Sequence, residues 1–281
     1  MEKKEEKKKS HTFRTIFFVL ILFIILVFLY GRYVEPSIIL VNEYEIKNNS
    51  IPNSFNNFKI AHFSDILYSS NEDMDRLKDV KTKINDKKID IVIFSGDLIK
   101  KDYNLSQKEI DKITKELSSI KAKYGKYYVT GDNDKKNELY DSIMQNSGFV
   151  SINNFFDNIY SEEKENILLI GLDTKIDTSI LTNIINENQS PYKIIVFHRS
   201  DSFDEIKDYD VDLVLSSNSL NGQVNIPGIK NLFLDSSSDE YYEPYYNIKK
   251  KDFYVSNGIG NDKINFRLLN NPSINIYVLK K

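Results

Sequence analysis

The hydrophobic and polar positions divide the chain into one long apolar segment and a series of short apolar runs. The long segment, residues 16–30, has no charged residue and is nearly all Ile, Leu, Val and Phe. Its length approaches the roughly 17–25 residues that cross a bilayer as a helix. The short runs, of which Ile91–Phe94 is the clearest, end at small or polar residues, which is typical of strands buried on both faces. The pattern therefore predicts a membrane-spanning helix followed by an α/β domain.

Amphipathic helices are predicted between several of these strands. Apolar residues recur at helical spacing over 77–84, which predicts a strand, helix and strand crossover, and a capping box at Ser106 and Glu109 precedes a second helix. A leading strand is predicted near residues 38–41. The remaining strands are predicted at 59–63, 91–94, 127–130, 166–172, 192–197, 212–216, 253–256 and 274–279.

Several predicted strands end in a side chain that can bind a metal ion. Asp65, Asp97 and Asp132 follow the first three strands of the domain, and His198 ends the strand predicted at 192–197. Open α/β sheets bind ligands at the carboxyl ends of their strands, so we expect these side chains to lie close together. The alternative is structural, because an Asp after a strand also commonly caps a turn.

Basic residues precede the long apolar segment, and the positive-inside rule then places the amino terminus in the cytoplasm. These residues are Lys3, Lys4, Lys7, Lys8, Lys9 and Arg14. A buried core helix and a cleaved signal peptide are the alternatives, but the segment has no polar face and residues 27–33 lack a small-x-small cleavage site.

The sequence thus predicts a single-pass protein of the cell membrane with an extracytoplasmic C-terminal domain. The predicted parts are a basic cytoplasmic tail (1–14), a transmembrane helix (15–31), a stalk with a leading strand (32–57) and the α/β domain (58–281).

Composition excludes two kinds of site and one class of partner. The chain has no Cys, which excludes disulfides and thiolate metal sites. Its net charge of −3 without a basic domain face argues against a nucleic-acid partner.

The order of these motifs resembles that of the calcineurin-like metallophosphoesterases, in particular their single-pass, outward-facing bacterial branch. Family members carry Asp-x-His, Gly-Asp, Gly-Asn-His-Asp/Glu, a lone His and Gly-His-x-His, each at a strand end. The matching residues here are Asp65-Ile66-Leu67, Gly96-Asp97, Gly131-Asp132-Asn133-Asp134, His198 and Ser217-Asn218-Ser219-Leu220. The resemblance covers the chain from Tyr33 onwards. It implies a four-layer α/β/β/α sandwich with the site at the carboxyl ends of the strands.

The resemblance also implies where this chain departs from the family. Family members hold two metal ions about 3.5–4 Å apart. One ion would use the positions of Asp65, Leu67, Asp97 and Leu220, of which the two leucines cannot bind a metal. The other ion would use Asp97, Asp132, His198 and Asn218, all of which can still donate an electron pair.

The family histidine that assists the leaving group corresponds to Asn133, which cannot transfer a proton near neutral pH. No side chain is therefore assigned a catalytic role, and a binuclear centre is not expected. The remaining ligands favour at most one divalent cation, Mn, Mg or Ca rather than Zn; the alternative is that no metal binds.

Two functions follow from this resemblance. The first is a membrane-anchored, catalytically impaired or non-catalytic family member that binds a phosphate-bearing ligand or an envelope protein. The alternative is an altered mononuclear, metal-dependent phosphoester hydrolase that acts on an envelope lipid or metabolite.

Overall fold

The computed structural model describes residues 2–228, 233–234 and 236–281, and within them the chain forms two six-stranded sheets flanked by helices. In chain order the strands are β1 (Leu40–Lys47), β2 (Lys59–Phe63), β3 (Ile91–Phe94), β4 (Gly125–Tyr128), β5 (Val150–Ser151), β6 (Phe155–Tyr160), β7 (Asn166–Gly171), β8 (Lys193–Arg199), β9 (Leu213–Ser217), β10 (Tyr245–Ile248), β11 (Lys251–Val255) and β12 (Ser273–Lys280). The α-helices are α1 (Glu2–Leu29), α2 (Asn71–Asn85), α3 (Gln107–Ser118), α4 (Tyr140–Asn146), α5 (Thr178–Glu187) and α6 (Phe203–Ile206).

Parallel strand pairs dominate both sheets. The first sheet has the order β1-β12-β2-β3-β4-β5 and the second has the order β10-β11-β9-β8-β7-β6. The antiparallel pairs are β12 with β2, β6 with β7, and β10 with β11. Strands β2, β3 and β4 of one sheet and β7, β8 and β9 of the other therefore each run parallel to their neighbours, which collects their carboxyl ends along one edge.

Three apolar layers hold the two sheets and the helices together. Ile60 and Ile93 of the first sheet pack against residues of the second sheet such as Leu215 in the central layer. The outer layers lie beneath the helices, where Leu77 of α2 and Leu181 of α5 are fully buried. Because strand side chains alternate between faces, each sheet is buried on both sides. The predicted four-layer α/β/β/α arrangement is confirmed.

The segment predicted as a stalk with a leading strand supplies an edge strand of the first sheet. Strand β1 pairs in parallel with β12 from Leu40 to Lys47. Ile46, Ile51 and Phe55 are buried in the central apolar layer. The leading strand is thus packed against the domain along its whole length.

The apolar N-terminal helix is docked on the domain at its C-terminal end. Residues Thr12–Ser37 form a helical segment with a mean hydropathy of 2.8, long and apolar enough to cross a membrane. The ring of Phe28 stacks on Phe266 at 5.9 Å, and the N–H of Arg267 donates to the carbonyl of Gly31 at 2.9 Å. A side chain at Gly31 would collide with the ring of Phe266, so the close approach requires glycine there.

Candidate metal centre

Two carboxylates and one imidazole meet at the edge where the strands of both sheets end. Asp65 follows β2, Asp97 follows β3, and His198 lies in β8. Their candidate ligand atoms all lie within 4.8 Å of one another, and all three residues are buried. Gly96 has a φ of 98°, which allows the turn after β3. A Cβ at this position would lie 3.0 Å from Nδ1 of His198, closer than side chains normally pack.

The sequence predicted that the strand before His198 ends there, whereas β8 continues to Arg199. The pairing of β8 with β9 is irregular between Val196 and Arg199. Such an irregularity changes the direction of the side chains beside it. His198 therefore belongs to a distorted strand end rather than to the loop after it.

The imidazole of His198 is oriented by a backbone carbonyl. Its Nδ1 lies 2.8 Å from the oxygen of Ser95, and because a carbonyl only accepts, Nδ1 carries the hydrogen and donates. The hydroxyl of Ser217 donates to the same oxygen at 2.9 Å. The other ring nitrogen, Nε2, is buried without a hydrogen-bond partner among the described residues and lies 3.5 Å from Oδ2 of Asp97. A metal-binding histidine has this arrangement, with one nitrogen held by a carbonyl and the other free.

Burial and mutual charge shift the pKa values of this cluster. Burial raises the pKa of Asp65 to about 7, and the charge of Asp97 contributes in the same direction. Burial lowers the pKa of His198, but the carboxylates of Asp97 and Asp65 outweigh it and raise the pKa to about 10. The centre therefore favours positive charge between its carboxylates, which a proton on His198 or a metal cation supplies.

Asn133, at the family histidine position, is committed to Asp97. Its backbone N–H donates to Oδ1 of Asp97 at 2.9 Å and its side-chain Nδ2 donates to Oδ2 at 2.8 Å. These bonds orient the carboxylate. They also occupy the amide of Asn133, which acts here as a hydrogen-bond donor.

Asp134 holds the loops on which the cluster is built, a role that the sequence did not reveal. It is 2% exposed and accepts the backbone N–H groups of Asp97 at 2.6 Å, Leu98 at 3.0 Å and Gly131 at 2.9 Å. Burial raises its pKa to about 7, and the charge of Asp97 adds to this effect. The carboxylate thus ties the loop after β3 to the loop after β4.

Two of the predicted ligands have other partners. Asp132 accepts from Nε of Arg199 at 2.9 and 3.0 Å, and its Oδ1 lies 2.8 Å from another guanidinium nitrogen. The side-chain nitrogen of Asn218 donates to the hydroxyls of Ser237 at 2.8 Å and Ser238 at 2.9 Å. The backbone N–H of Asn218 donates to Oδ2 of Asp65 at 3.4 Å, so this residue lies next to the cluster. Metal binding by Asp132 and Asn218 stays a prediction. The sequence feature that could have indicated the Asp132–Arg199 ion pair is the position of Arg199, a basic residue directly after His198.

The two predicted lost-ligand positions are buried and apolar. Leu67 is 2% exposed and Leu220 is 5% exposed. Both have left-handed backbone conformations, with φ of 50° and 49°, as do Asp65, Asp97 and Asn218. A Cβ on Gly258 would collide with the side chain of Leu220 and approach that of Asp65, so the leucine packs beside the first carboxylate.

A fully buried arginine supports the loop next to Asp65. Arg267 donates to the carbonyls of Asn257 at 3.0 Å, Gly260 at 2.6 Å and Asn270 at 3.3 Å. The N–H of Gly260 in turn donates to the carbonyl of Asp65 at 2.7 Å. Removing this guanidinium would leave several buried carbonyls without donors.

The cluster fits one divalent cation. Two carboxylates and the free Nε2 of His198 are a predominantly oxygen donor set. Asn133, which is bonded to Asp97, also lines a cavity of about 340 Å³ together with Lys100, Lys101, Lys136, Asp102 and Glu138. Because Nζ of Lys100 donates to the carbonyls of Asn261 and Asp262, the positive charge available to an anion such as a phosphate comes from Lys101 and Lys136.

Comparisons with known proteins agree with this architecture. The family model of the calcineurin-like phosphoesterases matches residues 58–259. The chain is 28% identical over 256 residues to "Uncharacterized metallophosphoesterase YkuE" of Bacillus subtilis (strain 168), covering 89% of each chain. It is 22% identical to "Uncharacterized metallophosphoesterase YkoQ" of the same organism, over 94% of this chain and 98% of that protein.

One solved structure of similar fold is the calcineurin-like phosphoesterase YfkN from Bacillus subtilis. Its TM-score is 0.43 at 12% identity, over 72% of this chain and 81% of that one. The family match includes all three residues of the buried cluster and most of both sheets. The chain belongs to the calcineurin-like phosphoesterase family.

Proposed function

We propose that this protein is a membrane-anchored calcineurin-like domain that holds one divalent cation and binds a phosphate-bearing ligand without hydrolysing it efficiently. The observation that carries the proposal is the cluster of Asp65, Asp97 and His198, because it offers three ligands to one cation while the neighbouring positions, Leu67 and Leu220, offer none.

The expected loss of catalysis follows from the groups around the cluster. Two-metal hydrolysis needs an ion for the attacking oxygen and another for the leaving oxygen. Losing one oriented catalytic group commonly lowers the rate by about 10²–10⁴. Here Asn133 cannot donate a proton to a leaving group, and its amide is bonded to Asp97. Several such losses together leave binding as the supported activity.

Phosphate binding is supported by the cavity next to the cluster. A bound divalent cation would supply positive charge to phosphate oxygens. Lys101 and Lys136 line the same cavity, and their ammonium groups can pair with a further anionic group of the ligand. The occupant we propose is therefore a phosphomonoester or phosphodiester.

The second candidate is a mononuclear phosphoester hydrolase. It is favoured by the cluster itself, since one cation on Asp65, Asp97 and His198 could still polarise a phosphoryl oxygen. An activity assay therefore has to accompany the metal-binding experiment.

The membrane anchor is a separate part of the proposal. It is supported by the apolar helix ending at Ser37, by the exposure of its side chains and by the basic residues before it. In this orientation the domain lies outside the cell membrane.

Metal titration of the purified protein tests the cation site. We expect one Mn²⁺ to bind per chain, and His198→Ala should abolish that binding because it removes the imidazole. His62→Gln is the matched control, since His62 is also fully buried but is not part of the cluster. Binding of two ions, or unchanged binding by His198→Ala, would reject the proposed centre.

Hydrolysis of aryl phosphate monoesters and diesters, measured with Mn²⁺ present, distinguishes the two candidates. A binding domain should stay near the uncatalysed rate. Metal-dependent hydrolysis that disappears in His198→Ala and persists in His62→Gln would establish the mononuclear hydrolase instead.

A further inference from the structure

Two adjoining cavities lie where the apolar helix meets the domain, away from the metal cluster. One, of about 350 Å³, is lined by Arg32, Tyr33, Pro36 and Ser37 at the end of the helical segment and by residues of α2. The other, of about 190 Å³, is lined by Arg32 and Arg76 together with Lys100 and the loop before α2. Arg32, Glu72 and Arg76 line both cavities, so the two are neighbours, and together they are named here the headgroup pocket.

The headgroup pocket contains two arginines besides Lys100, whose Nζ donates to the backbone carbonyls of Asn261 and Asp262. Arg76 is 9% exposed and pairs through its terminal nitrogen with Asp73, yet its Nε is buried without a hydrogen-bond partner among the described residues. Arg32 stacks over the ring of Tyr33 at 4.7 Å and lies 3.7 Å from a carboxylate oxygen of Glu72. A planar guanidinium fixed in this way suits a phosphate, because it can donate two parallel hydrogen bonds.

Carboxylates on α2 line the other side of the headgroup pocket. They belong to Glu72, Asp75 and Asp79, and their side chains are 57%, 75% and 40% exposed. Asp75 also pairs with Lys78 at 2.9 Å and Asp79 with Lys83 at 3.6 Å, two lysines that do not line either cavity. With two arginines against three carboxylates, the larger cavity carries no excess of positive charge. A purely anionic ligand would therefore meet repulsion, whereas a ligand with both a phosphate and an ammonium group would be complemented at both ends.

The position of the headgroup pocket indicates where such a ligand comes from. Arg32 and Tyr33 lie at the C-terminal end of the apolar segment, and Glu35 of the next turn is buried and accepts from the N–H of Asn270. Basic and aromatic side chains at the end of a spanning helix lie at the level of lipid headgroups. The docked helix end would thus hold the pocket at the bilayer surface.

We propose that the headgroup pocket binds the phosphoethanolamine headgroup of a membrane lipid, with the phosphate on Arg32 and Arg76 and the ammonium facing Asp75 and Asp79. The source of the headgroup rests on the membrane anchoring proposed above. A primary ammonium donates hydrogen bonds to the carboxylates, whereas a quaternary ammonium has no hydrogen to donate. The pocket should therefore prefer phosphatidylethanolamine to both phosphatidylcholine and phosphatidylglycerol.

The first measurement titrates the full-length protein in detergent with glycerophosphoethanolamine, glycerophosphocholine and glycerophosphoglycerol. The second places the protein in nanodiscs that contain the corresponding phospholipids and identifies the lipid that stays bound by native mass spectrometry. We expect the ethanolamine compound and lipid to bind best. Arg32→Gln and Asp79→Asn should each weaken that binding by about tenfold, the effect of losing one charge-assisted hydrogen bond. Both side chains are partly exposed, so circular dichroism should show an unchanged fold.

Asp86→Asn is the matched control, because Asp86 is an exposed acid at the far end of α2 that does not line either cavity. It should bind like the unmodified protein. Equal or tighter binding of the glycerol compound, equal weakening by the control, or no binding of any headgroup would overturn the proposal. The soluble headgroup compounds test the pocket whether or not the protein resides in a membrane. Membrane anchoring is tested separately by cell fractionation, so the failure of one proposal can be distinguished from the failure of the other.

Discussion

Titration of His62, a histidine that lies outside the metal cluster, should make a destabilising contribution to the fold on acidification. His62 of β2 is 0% exposed, and its Nε2 lies 2.7 Å from the hydroxyl oxygen of Ser95. Burial lowers its pKa from the ordinary value of 6.5 to about 3. The unfolded chain therefore takes up a proton as the pH falls through 6.5, while the folded protein does not.

The size of this effect follows from the gap between the two pKa values. One pKa unit corresponds to about 1.4 kcal/mol. Between about pH 7.5 and about pH 5, titration of His62 should thus lower the free energy of unfolding by about 2 kcal/mol. The stabilising contribution is complete above the unfolded pKa and decreases as the pH falls towards the folded one.

Urea unfolding of the unmodified protein and of His62→Gln at both pH values measures this contribution. The raised pKa values of Asp65, Asp134 and His198 act in the opposite direction, because at these groups the folded protein binds more protons than the unfolded chain does. They are present in both proteins and cancel when the two pH-dependent changes are subtracted. The subtraction should leave about 2 kcal/mol attributable to His62.

Tyr277→Phe is the control for lost contacts. The hydroxyl of Tyr277 lies 3.4 Å from Nδ1 of His62, so this variant removes a neighbour and keeps the imidazole. It should retain the pH dependence of the unmodified protein. A His62→Gln variant whose stability changes with pH as much as that of the unmodified protein would refute the reasoning.

Four further predictions concern the fold, the anchor and the metal centre. Chelation should leave the melting temperature within a few degrees, because the three apolar layers contain no metal ligand; unfolding on chelation would show that the ion is structural. Protease added to intact cells should digest the domain, and digestion seen only after the membrane is opened would contradict the predicted orientation. Gly171→Ala should cost about 1–3 kcal/mol in urea unfolding, since its Cβ would overlap the backbone of Ile152; an unchanged stability would contradict this packing. Leu67→His combined with Leu220→His should add a second Mn²⁺ in titration calorimetry, and a stoichiometry that stays at one would argue against the lost site.

The sequence predicted best the strands that lie inside the sheets. Strand β3 is buried on both faces, so its four residues form an uninterrupted apolar run. Strand β10 at a sheet edge alternates exposed residues (Tyr245, Asn247) with half-buried ones (Tyr246, Ile248), and β5 has only two residues. Such strands lack a strong local pattern because their formation depends on the neighbouring strand. They were not predicted from the sequence.

In the site too, some features follow from the local sequence and others depend on tertiary packing. Asp65 and Asp97 could be predicted because each comes shortly after a buried strand of the same sheet, β2 ending at Phe63 and β3 at Phe94. The pairing of Asp132 with Arg199 could not, since it joins a loop of the first sheet to the end of β8 in the second and depends on where the two side chains point. Motif spacing gives the positions of side chains along the chain, whereas their partners are set by tertiary packing.

The left-handed backbone at Leu67 and Leu220 has a consequence for how this site could change over evolutionary time. Left-handed conformations are costly for a bulky side chain, and Asn, Asp and His adopt them more readily than Leu does. The backbone at both positions thus has a conformation that a polar side chain adopts at lower cost than leucine does. Ligands at 67 and 220 would require new side chains on an existing backbone, and the polar residues would relieve strain that the leucines impose. If the proposed loss of a second ion site is correct, two substitutions at positions whose main chain already has this shape would suffice to create one.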